Sequence, residues 1–143
     1  MRVLVDTNVV LDVILARKSW VAEATDLLDR MARRELEGFV AAHAVTTVFY
    51  IVERERDRRT ALTAVGDLLS IVGVAEVGIA DFQRALTLGL KDFEDAVQVA
   101  ASLRVGADFL VTRNAKDYKD SPVSVKAPGE LLALIAATSH SRE

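Results

Sequence analysis

The feature that most constrains this chain is a regular alternation of short β-branched runs with longer stretches of helical periodicity. Arg2-Val3-Leu4-Val5 opens the chain and stops at Asp6. It is apolar at consecutive positions, as strands buried on both faces of a parallel sheet are. Helical spacing follows over residues 7–16, then in a helix that Ser19 can cap, with Val21, Ala24, Leu27, Leu28 and Met31 inward. A second strand is expected at 39–42, helices at 43–57 and 60–72, and a brief strand at 74–77. Helices at 81–88 and 93–105 precede strands at 109–111 and 123–125, and Pro128 opens a last helix. Strands that alternate with helices imply right-handed crossovers and parallel pairing. The expected architecture is α/β: three layers, α/β/α, around a central, mostly parallel, Rossmann-like sheet.

No linker, repeat or low-complexity segment interrupts the 143 residues. The reading is one domain over residues 1–138, with 139–143 a frayed tail. At 51% hydrophobic residues the chain has ample material for a core. It has no cysteine, which excludes disulfides and thiolate metal sites and suits a reducing compartment. No apolar run approaches the roughly 20 residues of a membrane span, and Asp6 interrupts the N-terminal run at once. A cytoplasmic protein with no membrane association is expected. Twenty-one acidic residues against 18 basic give a net charge of −3, so no overall basic excess advertises nucleic acid.

Ligands of such sheets bind beyond the carboxyl ends of the strands. Three acidic groups fall there. Asp6-Thr7-Asn8 follows the first strand, and each of these residue types also serves as a helix N-cap. Asp92-Phe93-Glu94-Asp95 opens a helix, with Asp92 and Asp95 on one face of its first turn, where negative charge also suits the helix dipole. Glu94 is expected to point elsewhere, into solvent. Thr112-Arg113-Asn114-Ala115-Lys116-Asp117 follows the fourth strand, where Asn114 and Asp117 resemble a capping box. Each cluster alone has a structural explanation. Together they describe carboxylates that repel unless something compensates them, and a hard divalent cation does so. Such an ion supports phosphodiester cleavage without a His, Ser or Cys nucleophile, which fits a chain with two histidines.

The sequence resembles the PIN-domain ribonucleases, in particular VapC-like toxins of bacterial type II toxin–antitoxin systems. The resemblance is carried by Val3-Leu4-Val5-Asp6-Thr7-Asn8-Val9-Val10-Leu11-Asp12, by Asp92-Phe93-Glu94-Asp95-Ala96-Val97-Gln98, and by Val111-Thr112-Arg113-Asn114-Ala115-Lys116-Asp117-Tyr118. It implies a PIN-like fold and an endoribonuclease dependent on Mg2+ or Mn2+, with RNA as substrate, a small antitoxin as partner, and a homodimer. It also implies that Asp6, Asp95 and Asp117 are the catalytic metal-binding carboxylates, with Asp92 auxiliary and Asn8, Thr112 and Asn114 in support. Asp12 is expected on the first helix, away from the metal.

One position departs from that pattern. The helix after the second strand usually supplies a glutamate, and Thr47 stands there. Glu53, six residues on, lies roughly a third of a turn off that face. His43 shares the face, but imidazole suits magnesium less well than oxygen does, so it reads as structural. Arg113 flanks the acidic edge and is a candidate for holding a phosphate, as are Arg54 and Arg58 within Glu53-Arg54-Glu55-Arg56-Asp57-Arg58-Arg59, a run that otherwise reads as a solvated helix end. Arg30, Arg33 and Arg34 form another basic group. Trp20, Tyr50 and Tyr118 can stack bases or pack a core. The competing readings are a degenerate module that binds RNA or protein without chemistry, for which Thr47 speaks, and a phosphatase-like hydrolase. Against the latter, Asn8 stands where a second Asp would be needed.

Overall fold

The computed structural model describes residues 1–141, which form five strands and seven α-helices. Strand β1 (Arg2–Val5) leads into α1 (Thr7–Ile14) and α2 (Val21–Ala32). Strand β2 (Glu37–Ala41) is followed by α3 (Ala42–Glu55) and α4 (Arg58–Ile71), and β3 (Gly73–Ala75) by α5 (Ile79–Leu86) and α6 (Phe93–Arg104). Strand β4 (Phe109–Val111), a single 3-10 turn over Ala115–Tyr118, β5 (Val125–Lys126) and α7 (Pro128–Ser141) complete the fold. Residues 142–143, part of the stretch expected to fray, lie outside the described residues.

The sheet order is β3-β2-β1-β4-β5, and every neighbouring pair is parallel, so the sheet is parallel throughout rather than mostly so. The two-residue period of a strand divides β1 between two cores. Val3 and Val5 pack with α1, α2, α3, α4 and α7 on one face, while Leu4 packs against α6 with Leu110 on the other. Val3, Leu4 and Val5 are fully buried, each contributing about 1.5–3 kcal/mol of transfer free energy. Helices cover both faces, which makes the three expected layers.

Local differences from the sequence expectation have backbone causes. Ser19 does not cap α2; Trp20 is the N-cap and makes no side-chain cap bond. The carbonyl of Arg17 instead takes the amides of Trp20 and Val21, two of the groups left open at this helix start. Helix α3 stops at Glu55 and α4 begins at Arg58 because Asp57 caps α4, its carboxylate accepting from the Thr60 amide at 2.7 Å. Strands β3 and β5 sit one to two residues away from their expected spans. Among the described residues no helix is long and apolar enough to cross a membrane.

From β1 the chain winds outward through β2 and β3, then returns to the other side of β1 with β4 and β5. The winding reverses between β1 and β4, which opens a crevice beyond their carboxyl ends. Asp6 leaves β1 there and Thr112 leaves β4.

Candidate metal centre and its cleft

Asp6 occupies the N-cap position of α1, yet its side chain makes no cap hydrogen bond. The carboxylate, 5% exposed, turns to the crevice. Its Oδ2 accepts from the Thr112 hydroxyl at 2.8 Å and from the Tyr118 hydroxyl at 3.1 Å, and Gln98 Nε2 lies 3.5 Å from its Oδ1. The capping explanation therefore fails for Asp6. It holds for Asp92, which accepts from the Asp95 amide at 3.0 Å at the start of α6. It fails again for Asn114, which makes no side-chain cap bond; the Asp117 amide is bound by the Asn114 backbone carbonyl.

Asp95 projects from the first turn of α6 to the same tyrosine, its Oδ1 3.1 Å from the Tyr118 hydroxyl. One phenol thus touches carboxylates that stand 89 positions apart in the chain. A phenol carries one proton, so it donates to only one carboxylate at a time unless the other brings a proton of its own. The electrostatics agree. Burial pushes Asp95 up to about 6, with Asp92, Asp6 and Glu94 adding repulsion and the Tyr118 bond opposing. Asp6 is also raised, first by burial and then by Glu94, against the pull of Thr112 and Tyr118. The tyrosine itself resists ionisation strongly, buried beside two acids.

Glu94 stays exposed, as expected, but its carboxylate turns back to the site. Its Oε1 lies 3.0 Å from His43 Nε2 on α3 and accepts from Gln98 Nε2 at 3.1 Å, and it is held below its ordinary range chiefly by the His43 bond. Asp92, Glu94 and Asp95 each offer a carboxylate oxygen within 4.8 Å of the others. Gln98, fully buried, joins this group to Asp6 and to the Thr7 hydroxyl.

Asp117 is exposed, and its carboxylate makes no hydrogen bond or ion pair with the described residues. It lines a cleft of about 520 Å³ together with Asp92 and Asp95. Thr47 sends its hydroxyl back to the His43 carbonyl at 3.2 Å, an ordinary in-helix bond. The face of α3 where the resemblance implies a glutamate thus meets the acidic group through His43 instead.

The arginines go elsewhere. Arg113 lies 3.1 Å from buried Asp12 and stacks on Trp20 at 4.0 Å, and it is not among the residues lining the cleft. Asp12 also holds Arg17 at 3.3 Å, so this first-helix acid anchors two cations away from the carboxylate group. Arg58 pairs with Glu53 at 3.4 Å and lies over Phe49, and Arg54 is exposed at the end of α3. Neither reaches the cleft.

The family model for the PIN domain matches residues 2–116. The chain belongs to the PIN-domain family. This PIN domain is similar to ribonuclease VapC1 of Aquifex aeolicus (strain VF5), 21% identical over 122 residues that cover 82% of this chain and 84% of that protein. Its fold resembles that of VapBC2 from Rickettsia felis, solved bound to a DNA fragment from their promoter, with a TM-score of 0.71 at 15% identity over 89% of this chain and 98% of the other. It also resembles Mycobacterium tuberculosis VapC20, a sarcin-ricin loop cleaving toxin, with a TM-score of 0.61 at 17% identity over 76% and 86% of the two chains.

From sequence alone, three residues that help form the carboxylate site of this PIN domain carry no role there. Gln98 had a readable signal: it stands three and four positions after Asp95 and Glu94, on one helical face, as a lone amide among Ala and Val. Glu94 had a weaker one. Tyr118 looked like any core aromatic, and only the packing of the 3-10 turn against α6 gives it two acids to bridge.

Proposed function

We propose that this PIN domain is a divalent-metal-dependent endoribonuclease, the toxin of a toxin–antitoxin pair, acting in the cytoplasm as a homodimer. The observation that carries the reading is the joining of Asp6 and Asp95 through Tyr118, beside Asp92 and Glu94. Carboxylates gathered this way are mutually repulsive and partly desolvated, a state that a cation relieves. The donor set fits Mg2+ or Mn2+, since all the candidates are hard oxygens. Two further oxygens, Asn8 Oδ1 and Gln98 Oε1, are buried and find no hydrogen-bond donor among the described residues. Asp6 and Asp95 would hold the ion, with Asp92 and Glu94 beside them and Asp117 approaching from the cleft wall.

When bound, such an ion lowers the pKa of water towards neutrality and offsets charge that builds on a phosphate. The chain's own groups do the positioning. Thr112 and Gln98 fix the two oxygens of Asp6, Tyr118 ties Asp6 to Asp95, and His43 and Gln98 hold Glu94. Support for RNA as substrate comes from the ribonuclease relative and from the loop-cleaving toxin of similar fold. Support for an antitoxin comes from the VapBC complex of similar fold. Helix α5 leaves Ile79 and Leu86 78% and 72% exposed, apolar surface that a second copy would cover.

The purified chain should cut RNA with manganese or magnesium. Asp6→Asn should lower the rate by at least about 100-fold, the upper end of what outer-shell partners of a metal site cost. Cleavage that ignores both chelator and mutation would sink the assignment. The second reading, a module that binds RNA or protein without chemistry, is favoured by Thr47, whose hydroxyl is turned to its own helix. It predicts binding with no metal-dependent turnover.

A further inference from the structure

Three of the chain's five lysines line the cleft beside the carboxylate group: Lys91, Lys116 and Lys119. They come from two separate segments, the approach to α6 and the 3-10 turn after β4. All three are exposed, and none makes a hydrogen bond or ion pair with the described residues. Many of the arginines are committed elsewhere: Arg17 and Arg113 to Asp12, Arg58 to Glu53, Arg104 to Glu76 and Asp81. The lysines face the cleft without partners although four carboxylates, those of Asp92, Asp95, Asp117 and Asp120, line it with them.

We infer that Lys91, Lys116 and Lys119 grip the backbone phosphates of a single-stranded nucleic acid and seat it against the carboxylates. This rests on the nuclease reading for the identity of the strand, RNA, but not for the grip itself. A cleft with four carboxylates repels a polyanion, so a strand enters only where uncommitted cations line its path. A bound divalent ion would offset two of the four carboxylate charges, and the three ammonium groups then outweigh the two that remain. Lysine is a compact charge on a flexible stem and follows a backbone without demanding one geometry. The contacts are to phosphate, so they position the strand and do not read its bases.

The test uses the full chain carrying Asp95→Asn to silence cleavage, with magnesium present, and a short fluorescein-labelled single-stranded RNA of mixed sequence. Affinity is measured by anisotropy over a range of salt concentrations, for the background and for added Lys91→Ala, Lys116→Ala and Lys119→Ala, singly and together. Each lysine lost should flatten the slope of log affinity against log salt by roughly 0.7, and the triple variant by about 2. Affinity should fall equally for a polyuridine probe. Lysine-to-arginine changes at the same positions should restore the slope. An unchanged slope in a triple variant with the circular dichroism of the parent overturns the inference, and so does a loss confined to one sequence. Turnover of the unsubstituted chain is read separately. A lysine-dependent slope in a protein that never cuts RNA would refute the nuclease reading and leave the grip standing.

Discussion

Tyr118 shows how much one hydroxyl decides at this site. It is 3% exposed, and its oxygen lies 3.1 Å from a carboxylate oxygen of both Asp6 and Asp95. Tyr118→Phe keeps the ring in the core with Leu4 and Leu110 but removes the bridge. Whichever carboxylate takes the phenol proton then loses a bond that favours its charged form, so the pair binds its proton more tightly. The expected result is a loss of about 10–100-fold in manganese affinity and in cleavage, the range for partners that orient metal ligands. A calorimetric titration with manganese checks it. Affinity equal to the parent's would mean the bridge positions nothing.

At the scale of elements, the sheet tolerates little change where helix and strand approach closely. A Cβ built at Gly38 in β2 would run into the thioether of Met31, which α2 presses into the core at 1% exposure. Gly38→Ala should therefore destabilise the fold by about 1–3 kcal/mol, the usual cost of overpacking. A lower urea midpoint with unchanged m-value is the expected readout; an unchanged midpoint would show that Met31 yields freely. The helix starts teach a different lesson. Asp57 and Asp92 cap their helices with their side chains, while Asp6, in the same kind of position, does not. The three are alike in sequence. They differ because Thr112 and Tyr118 stand within reach of Asp6 and draw its carboxylate off the helix.

For the whole molecule, the parallel sheet stores electrostatic strain at its switch point. In the metal-free chain the folded state holds Asp95 at about 6, above its ordinary 3.8, and Asp6 is raised as well. Between those two pH values the folded state binds more protons than the unfolded one, so this contribution to stability falls as pH rises through the window. Below it both states are protonated and the contribution is intact; above it the ionised pair is a standing cost. The melting temperature of Asp95→Asn, compared with the parent in chelator, should therefore gain on it steadily from about pH 4 to pH 6. Variants that track the parent at every pH would contradict this. Manganese should raise the parent's melting temperature most at the upper end, by mass action on an ionised site.

The sequence by itself determined the architecture, because strand and helix periods are local properties: Val3, Leu4 and Val5 read as a strand buried on both faces, and alternation implied the parallel order. It also placed Asp6, Asp92, Asp95 and Asp117 at element ends beyond the sheet. Tertiary structure alone decided which of those acids cap helices and which converge, that Glu94 turns to His43, and that Arg113 is claimed by Asp12 while lysines line the cleft. Those outcomes depend on partners far away in the chain, and a side chain's choice among hydrogen-bond partners is settled by distance in space, which no local pattern of residues records.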